Sequence, residues 1–166
     1  MKPKIILIEP VLAHYRKDVF RMLSESNEFF FEIVAGDSYQ GIRDTGQEYG
    51  RLFKHISFSI LGHKFYFLKG AIKYIIRKEP DIIISTGVDF HLIHTVLIFF
   101  LFRILFRKRF YWWSHATFGN QGKIGVWMRK WVYKNSSGIF AYNSNGKENL
   151  LSLGITEDNI VVVNNS

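Results

Sequence analysis

The stretch Lys4-Ile-Ile-Leu-Ile-Glu-Pro10-Val-Leu-Ala-His-Tyr-Arg16-Lys-Asp-Val-Phe20-Arg-Met-Leu-Ser24 decides the fold. Lys4 to Ile8 is a continuous apolar run with β-branched residues, the pattern of a strand buried on both faces. From Tyr15 to Ser26 the period changes, and Val19, Phe20 and Leu23 recur at helical spacing. Together they make a first β-loop-α unit.

The same alternation runs outward through the chain. Phe29 to Ala35 reads as a second strand ended by Gly36-Asp37, and the polar stretch with Gly41, Gly46 and Gly50 reads as a loop or lid. Leu52 to Ser59 reads as a third strand. Lys64 to Lys78 puts Leu68, Ala71, Ile72, Ile75 and Ile76 on one helical face, stopped by Pro80. Asp81 to Ser85 reads as a buried strand, Asp89 to Phe106 as a helix and Arg109 to Trp113 as a strand. Lys123 to Lys134 reads as a helix with Ile124, Trp127, Met128 and Trp131 on its apolar stripe. Gly138 to Tyr142 is then a strand, Gly146 to Leu153 a helix closed by Gly154, and Asn159 to Val163 a last strand. Strands alternating with helices predict an α/β fold with a doubly wound, mostly parallel sheet, ligands binding at the carboxyl ends of its strands.

Composition removes several chemistries. With no cysteine, disulfides, thiolate nucleophiles, iron–sulfur clusters and Cys-based zinc sites are excluded. The first-strand turn has no glycine, which argues against a dinucleotide there, and Gly122-Lys123 is followed by Ile124, so a P-loop is absent. The net charge of +8 points to an anionic partner. No RNA- or DNA-binding motif accompanies that charge, and nucleic acid is not expected. Only four apolar residues run together before Glu9, too few for a signal peptide, so the chain is expected on the cytoplasmic side.

Val96-Leu-Ile-Phe-Phe-Leu-Phe102 is strongly apolar, and Arg103, Arg107, Lys108 and Arg109 follow it. It is too short to span a bilayer. Either it is a core helix, or it forms an aromatic, basic-edged face on the inner surface of an anionic membrane. Trp127, Arg129, Lys130, Trp131 and Lys134 would reinforce such a face, and peripheral association there is the expectation.

The candidate chemistry gathers at predicted strand ends. Arg16 stands where the first strand turns into the first helix and suits a carboxylate or phosphate. Ser85-Thr86-Gly87 ends the fourth strand, where glycine permits close approach. His91 and His94 share a helical face, but spacing supplies no further ligands, and no metal is expected. His115 follows Trp112-Trp113-Ser114 and precedes Gly119, Gly122 and Gly125, so a histidine at a strand end meets a glycine-rich loop.

These pieces resemble the N-terminal, Rossmann-like domain of GT-B glycosyltransferases of family 4. The resemblance rests on Pro10-x-x-x-His14-Tyr15-Arg16 with Phe20 and Leu23, on Ser85-Thr86-Gly87, and on His115 after an aromatic strand. It rests also on Phe140-Ala-Tyr-Asn-Ser144 with Gly146-Lys-Glu148, on Leu151-Ser-Leu-Gly-Ile155, and on the ending Ile160-Val-Val-Val-Asn-Asn-Ser166. It implies an acceptor-side domain over residues 1–163, with 164–166 beginning the linker to a donor-binding domain that carries the family's paired glutamates. The implied activity moves a hexose from a nucleotide-sugar donor to a glycan or lipid-linked acceptor in surface polysaccharide synthesis, with retention and without a metal or other cofactor. By the same resemblance His115 touches the transferred sugar, while Ala13, His14, Tyr15 and Arg16 line the cleft and Ser144 sits near the sugar or the hinge. The glycine-free first turn departs from that family. The alternative is a noncatalytic membrane-surface subunit, or an inactive remnant, that depends on a partner with the donor site.

Overall fold

A computed structural model of the chain describes residues 2–12, 16–39, 42–43, 50–60, 62–88, 91–116 and 122–163. The first half contains β1 (Lys4–Glu9), α1 (Lys17–Ser24), β2 (Phe30–Gly36), the short pair β3 (Ser38–Tyr39) and β4 (Ile42–Arg43), then β5 (Gly50–Phe53), β6 (His55–Ile60), β7 (His63–Leu68) and α2 (Ala71–Lys78). Next come β8 (Ile82–Thr86), α3 (Ile93–Ile98) continued by a π-helix over Phe99–Leu105, β9 (Arg109–Ser114), α4 (Lys123–Lys134), β10 (Gly138–Ala141), α5 (Ser144–Ser152) and β11 (Ile160–Val162).

Seven strands form one sheet in the order β11-β10-β9-β8-β1-β2-β5, and every pairing in it is parallel. From β1 the chain moves outward to β2 and β5, then returns to β8 on the other side of β1. The winding therefore reverses between β1 and β8, and the carboxyl ends of those strands open a crevice. Right-handed crossovers send helices to opposite faces on the two sides of such a reversal. The packing agrees: α1 contributes Phe20 to a small cluster with Leu7, Leu12, Ile33 and Ala35, while α2 through α5 pack on the opposite face.

The larger core is aromatic at its centre. Phe99 of the π-helix meets Phe110 edge-on at 5.3 Å between ring centroids and Trp112 at 5.6 Å, and all three rings are fully buried. Edge-to-face contacts of this kind add to the burial of the rings themselves. On the α1 side, an apolar groove of about 270 Å³ is lined by Leu7, Leu23, Phe31, Ile84, Trp113 and Phe140 among others.

Three expectations are corrected. The helix read over Lys64 to Lys78 is a strand up to Leu68, and only Ala71–Lys78 is helical. Cross-strand pairing prevails there because Phe65, Tyr66 and Phe67 face Phe58, Ser57 and Ile56, with the Phe58 and Phe65 rings stacked at 5.8 Å. Gly70 at φ 86° then turns the chain into α2. The single strand read over Leu52 to Ser59 is two: β5 joins the main sheet, while β6 pairs with β7 as a separate hairpin. The helix over Lys123 to Lys134 forms as expected, but its burial is reversed. Ile124, Trp127 and Met128 are exposed, and Arg129, Val132 and Tyr133 are the buried residues. The polar stretch expected as a loop or lid lies largely outside the described residues, as does Asp89.

Phe99→Ala should cost about 3–5 kcal/mol in urea unfolding, because it opens a cavity among rings with no means of collapse. Ile124→Ala should change stability by no more than about 0.5 kcal/mol. Equal effects would contradict the burial assigned to these two residues.

Candidate functional site

The carboxyl ends of β1, β9 and β10 converge on one guanidinium. β1 ends in Glu9, a charged residue at the foot of an apolar strand, and its carboxylate is 2 % exposed. Arg16, the residue preceding α1, donates from Nη1 to Glu9 Oε1 at 2.6 Å and from Nη2 to the hydroxyl of Tyr142, just past β10. The planar cation also lies over two rings, 5.0 Å from the Trp113 centroid and 5.4 Å from that of Tyr142. A cation held against an aromatic face and a carboxylate is stabilised by both.

Tyr142 is the middle layer of an aromatic stack. Trp113 of β9 stacks on one side at 5.5 Å and 17°, and His115 on the other at 3.8 Å and 11°. The imidazole is the outer, exposed member. Partial burial, helped by the Arg16 charge, pushes its pKa below the ordinary histidine value, so the ring is neutral at neutral pH. A neutral imidazole offers one donor and one acceptor to a hydroxyl-rich ligand.

The backbone behind the stack is fixed. Ser114 Oγ lies 2.9 Å from the Tyr133 hydroxyl and accepts from the Ala116 amide at 3.0 Å. Ala116 sits in the left-handed region at φ 51°, and Asn149 of α5 donates to its carbonyl at 3.1 Å. Gly146, whose amide donates to the Asn143 side chain at the start of α5, passes so close that a Cβ there would stand 3.0 Å from the His115 carbonyl. Gly87 allows β8 and β9 to approach at their ends. Its amide donates to the Trp113 carbonyl at 2.8 Å, and an added Cβ would meet Ser114 Oγ at 3.0 Å.

The structure thus brings Arg16, Thr86, Gly87, His115 and Ser144 to one edge of the sheet. Ser144 is the exposed first residue of α5. Ser85 is fully buried beneath that edge, its hydroxyl directed at the Thr86 carbonyl at 3.4 Å. Ala13, His14 and Tyr15 lie outside the described residues. His91 and His94 do not converge: His91 lies against Phe65 and His63 with Nδ1 at the Lys64 carbonyl, and His94 is buried against His55 and Phe67. Burial holds His94 down at about 4. Glu9 and Tyr142 were not singled out by sequence. A carboxylate closing a buried apolar strand directly before Pro10 was the available signal for Glu9.

Compared with protein-family profiles and with curated proteins, the sequence matches none. Solved structures resemble it in fold. The UDP-GlcNAc 2-epimerase from Methanocaldococcus jannaschii is 22% identical with a TM-score of 0.59, over 98% of this chain and 45% of that one. S. aureus MnaA in its co-structure with UDP is 15% identical with a TM-score of 0.60, over 96% of this chain and 44% of that one. The UDP-GlcNAc 2-epimerase from Neisseria meningitidis bound to UDP-GlcNAc is 15% identical with a TM-score of 0.59, over 96% of this chain and 46% of that one. The chain spans about half the length of these structures and shares the α/β fold of their GT-B architecture. Two of these three are named as epimerases, and none as a glycosyltransferase.

Burial raises the Glu9 carboxyl from 4.5 to about 7, outweighing the opposing pull of Arg16. The folded chain therefore keeps a proton that the unfolded chain releases, and the stability tied to that proton is lost as pH rises through about 7. Arg16→Met should cost about 3–5 kcal/mol near pH 8, where it strands a buried carboxylate, and less near pH 5, where Glu9 takes up a proton. Glu9→Gln should flatten the pH dependence of urea unfolding between those values. An undiminished slope in Glu9→Gln would assign the titration to another group.

Proposed function

We propose that this chain is the acceptor-side half of a glycosyltransferase that moves a sugar from a nucleotide-sugar donor to a glycan or lipid-linked acceptor. The observation that carries the reading is the stack of Trp113, Tyr142 and His115 at the carboxyl ends of β9 and β10, beside the switch point and held by Arg16. Aromatic faces present negative charge to the polarised C–H groups of a sugar ring, and the outer His115 offers hydrogen bonds to its hydroxyls. In the transfer, the acceptor oxygen bonds to the anomeric carbon as the bond from that carbon to the diphosphate oxygen breaks. The nucleoside diphosphate leaves with the electron pair, and the acceptor proton passes to a base. His115 in this scheme holds the transferred sugar, Arg16 supplies positive potential toward the leaving diphosphate, and Thr86, Gly87 and Ser144 line the cleft.

The likeness to UDP-GlcNAc 2-epimerases supports a nucleotide-sugar substrate and favours a second reading, in which the sugar is epimerised at C2 on its nucleotide. The two part on one requirement: transfer needs an acceptor, and epimerisation does not. With the donor-binding half present, labelled UDP-GlcNAc and other nucleotide sugars should release nucleoside diphosphate only when a glycan or lipid-linked acceptor is added. Acceptor-independent formation of the C2 epimer would replace transfer by epimerisation.

In the same assay His115→Ala should lower turnover about a hundredfold with its thermal midpoint unchanged. Normal turnover would remove His115 from the reaction.

A further inference from the structure

The outward stripe of α4 and the neighbouring π-helix have the polarity of a buried surface. Ile124 is 76% exposed and Trp127 66%, with Met128 beside them, while Arg129 on the same helix is buried. Next to α4 run Leu97, Phe100 and Ile104, spaced about one turn apart and all exposed. The two helices are joined: Phe100 stacks on Trp131 at 5.4 Å and 19°, and Arg103 Nε donates to the Asn135 carbonyl at 2.7 Å. The exposed apolar residues of the two helices thus belong to one face, and grouped exposed apolar residues mark interaction sites.

Its border is of one sign. Between Asp89 and Glu148 the sequence contains no acidic residue, and the two helices that make the face, with the turn that follows the π-helix, carry Arg103, Arg107, Lys108, Lys123 and Lys134. No helix among the described residues is long and apolar enough to cross a membrane. We propose that the face formed by α4 and the π-helix lies on the surface of an anionic bilayer, with Trp127, Ile124 and Phe100 in the headgroup–acyl boundary and the basic residues on the lipid phosphates. Aromatic and aliphatic side chains insert at that depth, and Lys and Arg at the rim add attraction to anionic lipid. A partner protein face would need its own acidic complement, whereas the inner leaflet supplies one directly.

The face begins at the site. α4 follows β9, so Ile124 and Trp127 lie in the half of the helix nearest the carboxyl edge that carries His115. Docking by this face places the crevice at headgroup level. Resting on the transferase reading, this identifies the acceptor as lipid-linked, its sugar presented from the bilayer.

The test uses the full 166-residue chain and vesicles of phosphatidylcholine, with or without about one third phosphatidylglycerol. The chain should co-sediment with the anionic vesicles, with a blue shift of tryptophan emission, and bind about tenfold more weakly in high salt. Trp127→Ala and Ile124→Ser should each lower vesicle affinity about tenfold, and Lys123→Gln or Lys134→Gln about fivefold, with melting unchanged. Equal binding to neutral vesicles, no binding, or a concentration-dependent dimer that Trp127→Ala abolishes would overturn the proposal. No donor or acceptor enters this measurement, so it stands or falls apart from sugar transfer. Transfer to a soluble glycan by a chain that ignores vesicles would remove the membrane face and leave the transferase reading intact.

Discussion

Taking the Arg16 guanidinium out of water is expensive, and the carboxyl edge of the sheet is arranged to offset that cost. Glu9 supplies the counter-charge from the end of β1, Tyr142 supplies an acceptor from beyond β10, and Trp113 supplies a ring face from β9. β1 is thereby tied at one end to β9 and β10, which lie far from it in sequence. The hydrogen bond from Arg16 to Tyr142 spans 126 residues, so the crevice takes its shape only when both wings of the sheet have assembled. Removing any one partner leaves a buried polar group of another unsatisfied.

His115 inherits its properties from that arrangement. Its ring lies flat on Tyr142, whose other face is held by Trp113, so the imidazole has one orientation in which to meet a ligand. The Arg16 charge and partial burial both disfavour the imidazolium. In the proposed transfer, a neutral ring at the mouth of the crevice would exchange hydrogen bonds without adding to the positive charge, and Arg16 would be the group that faces an anionic leaving portion.

Much of the fold was legible because parallel strands buried on both faces are written as unbroken apolar runs, and β1, β2, β8, β9, β10 and β11 all fall within a residue or two of their predicted bounds. Errors arose where a local period was satisfied by two structures at once. Leu68, Ala71, Ile72 and Ile75 fit a helix, but Phe65 to Phe67 gain more from pairing with β6, and Gly70 separates the two segments. At the site, Arg16, Thr86, Gly87 and His115 were readable as residues at or just past strand ends, since topology alone brings strand ends together, whereas Ser144 was singled out only by the family resemblance. Glu9 and Tyr142 were not, because their importance comes from a contact with Arg16 that no local pattern encodes.

The inversion of α4 follows from the same conflict between period and partner. Its sequence offers two stripes, one with Ile124, Trp127, Met128 and Trp131 and one with Arg129, Val132 and Tyr133. The sheet takes the second because Tyr133 reaches the Ser114 hydroxyl and meets the Trp112 ring edge-on at 6.4 Å, while Val132 joins the larger core, linking the helix to the strand that leads to His115. Trp131, between the stripes, is satisfied by Phe100 of the π-helix, whose wide turns, with the Phe106 amide reaching the Leu101 carbonyl, keep Phe99 and Phe102 inward while Phe100 and Ile104 turn out. The helix that fixes the site therefore gives up the burial of its most apolar stripe. On the proposed membrane face that loss is offset by a second apolar medium, and the basic residues of the two helices favour one with an anionic surface.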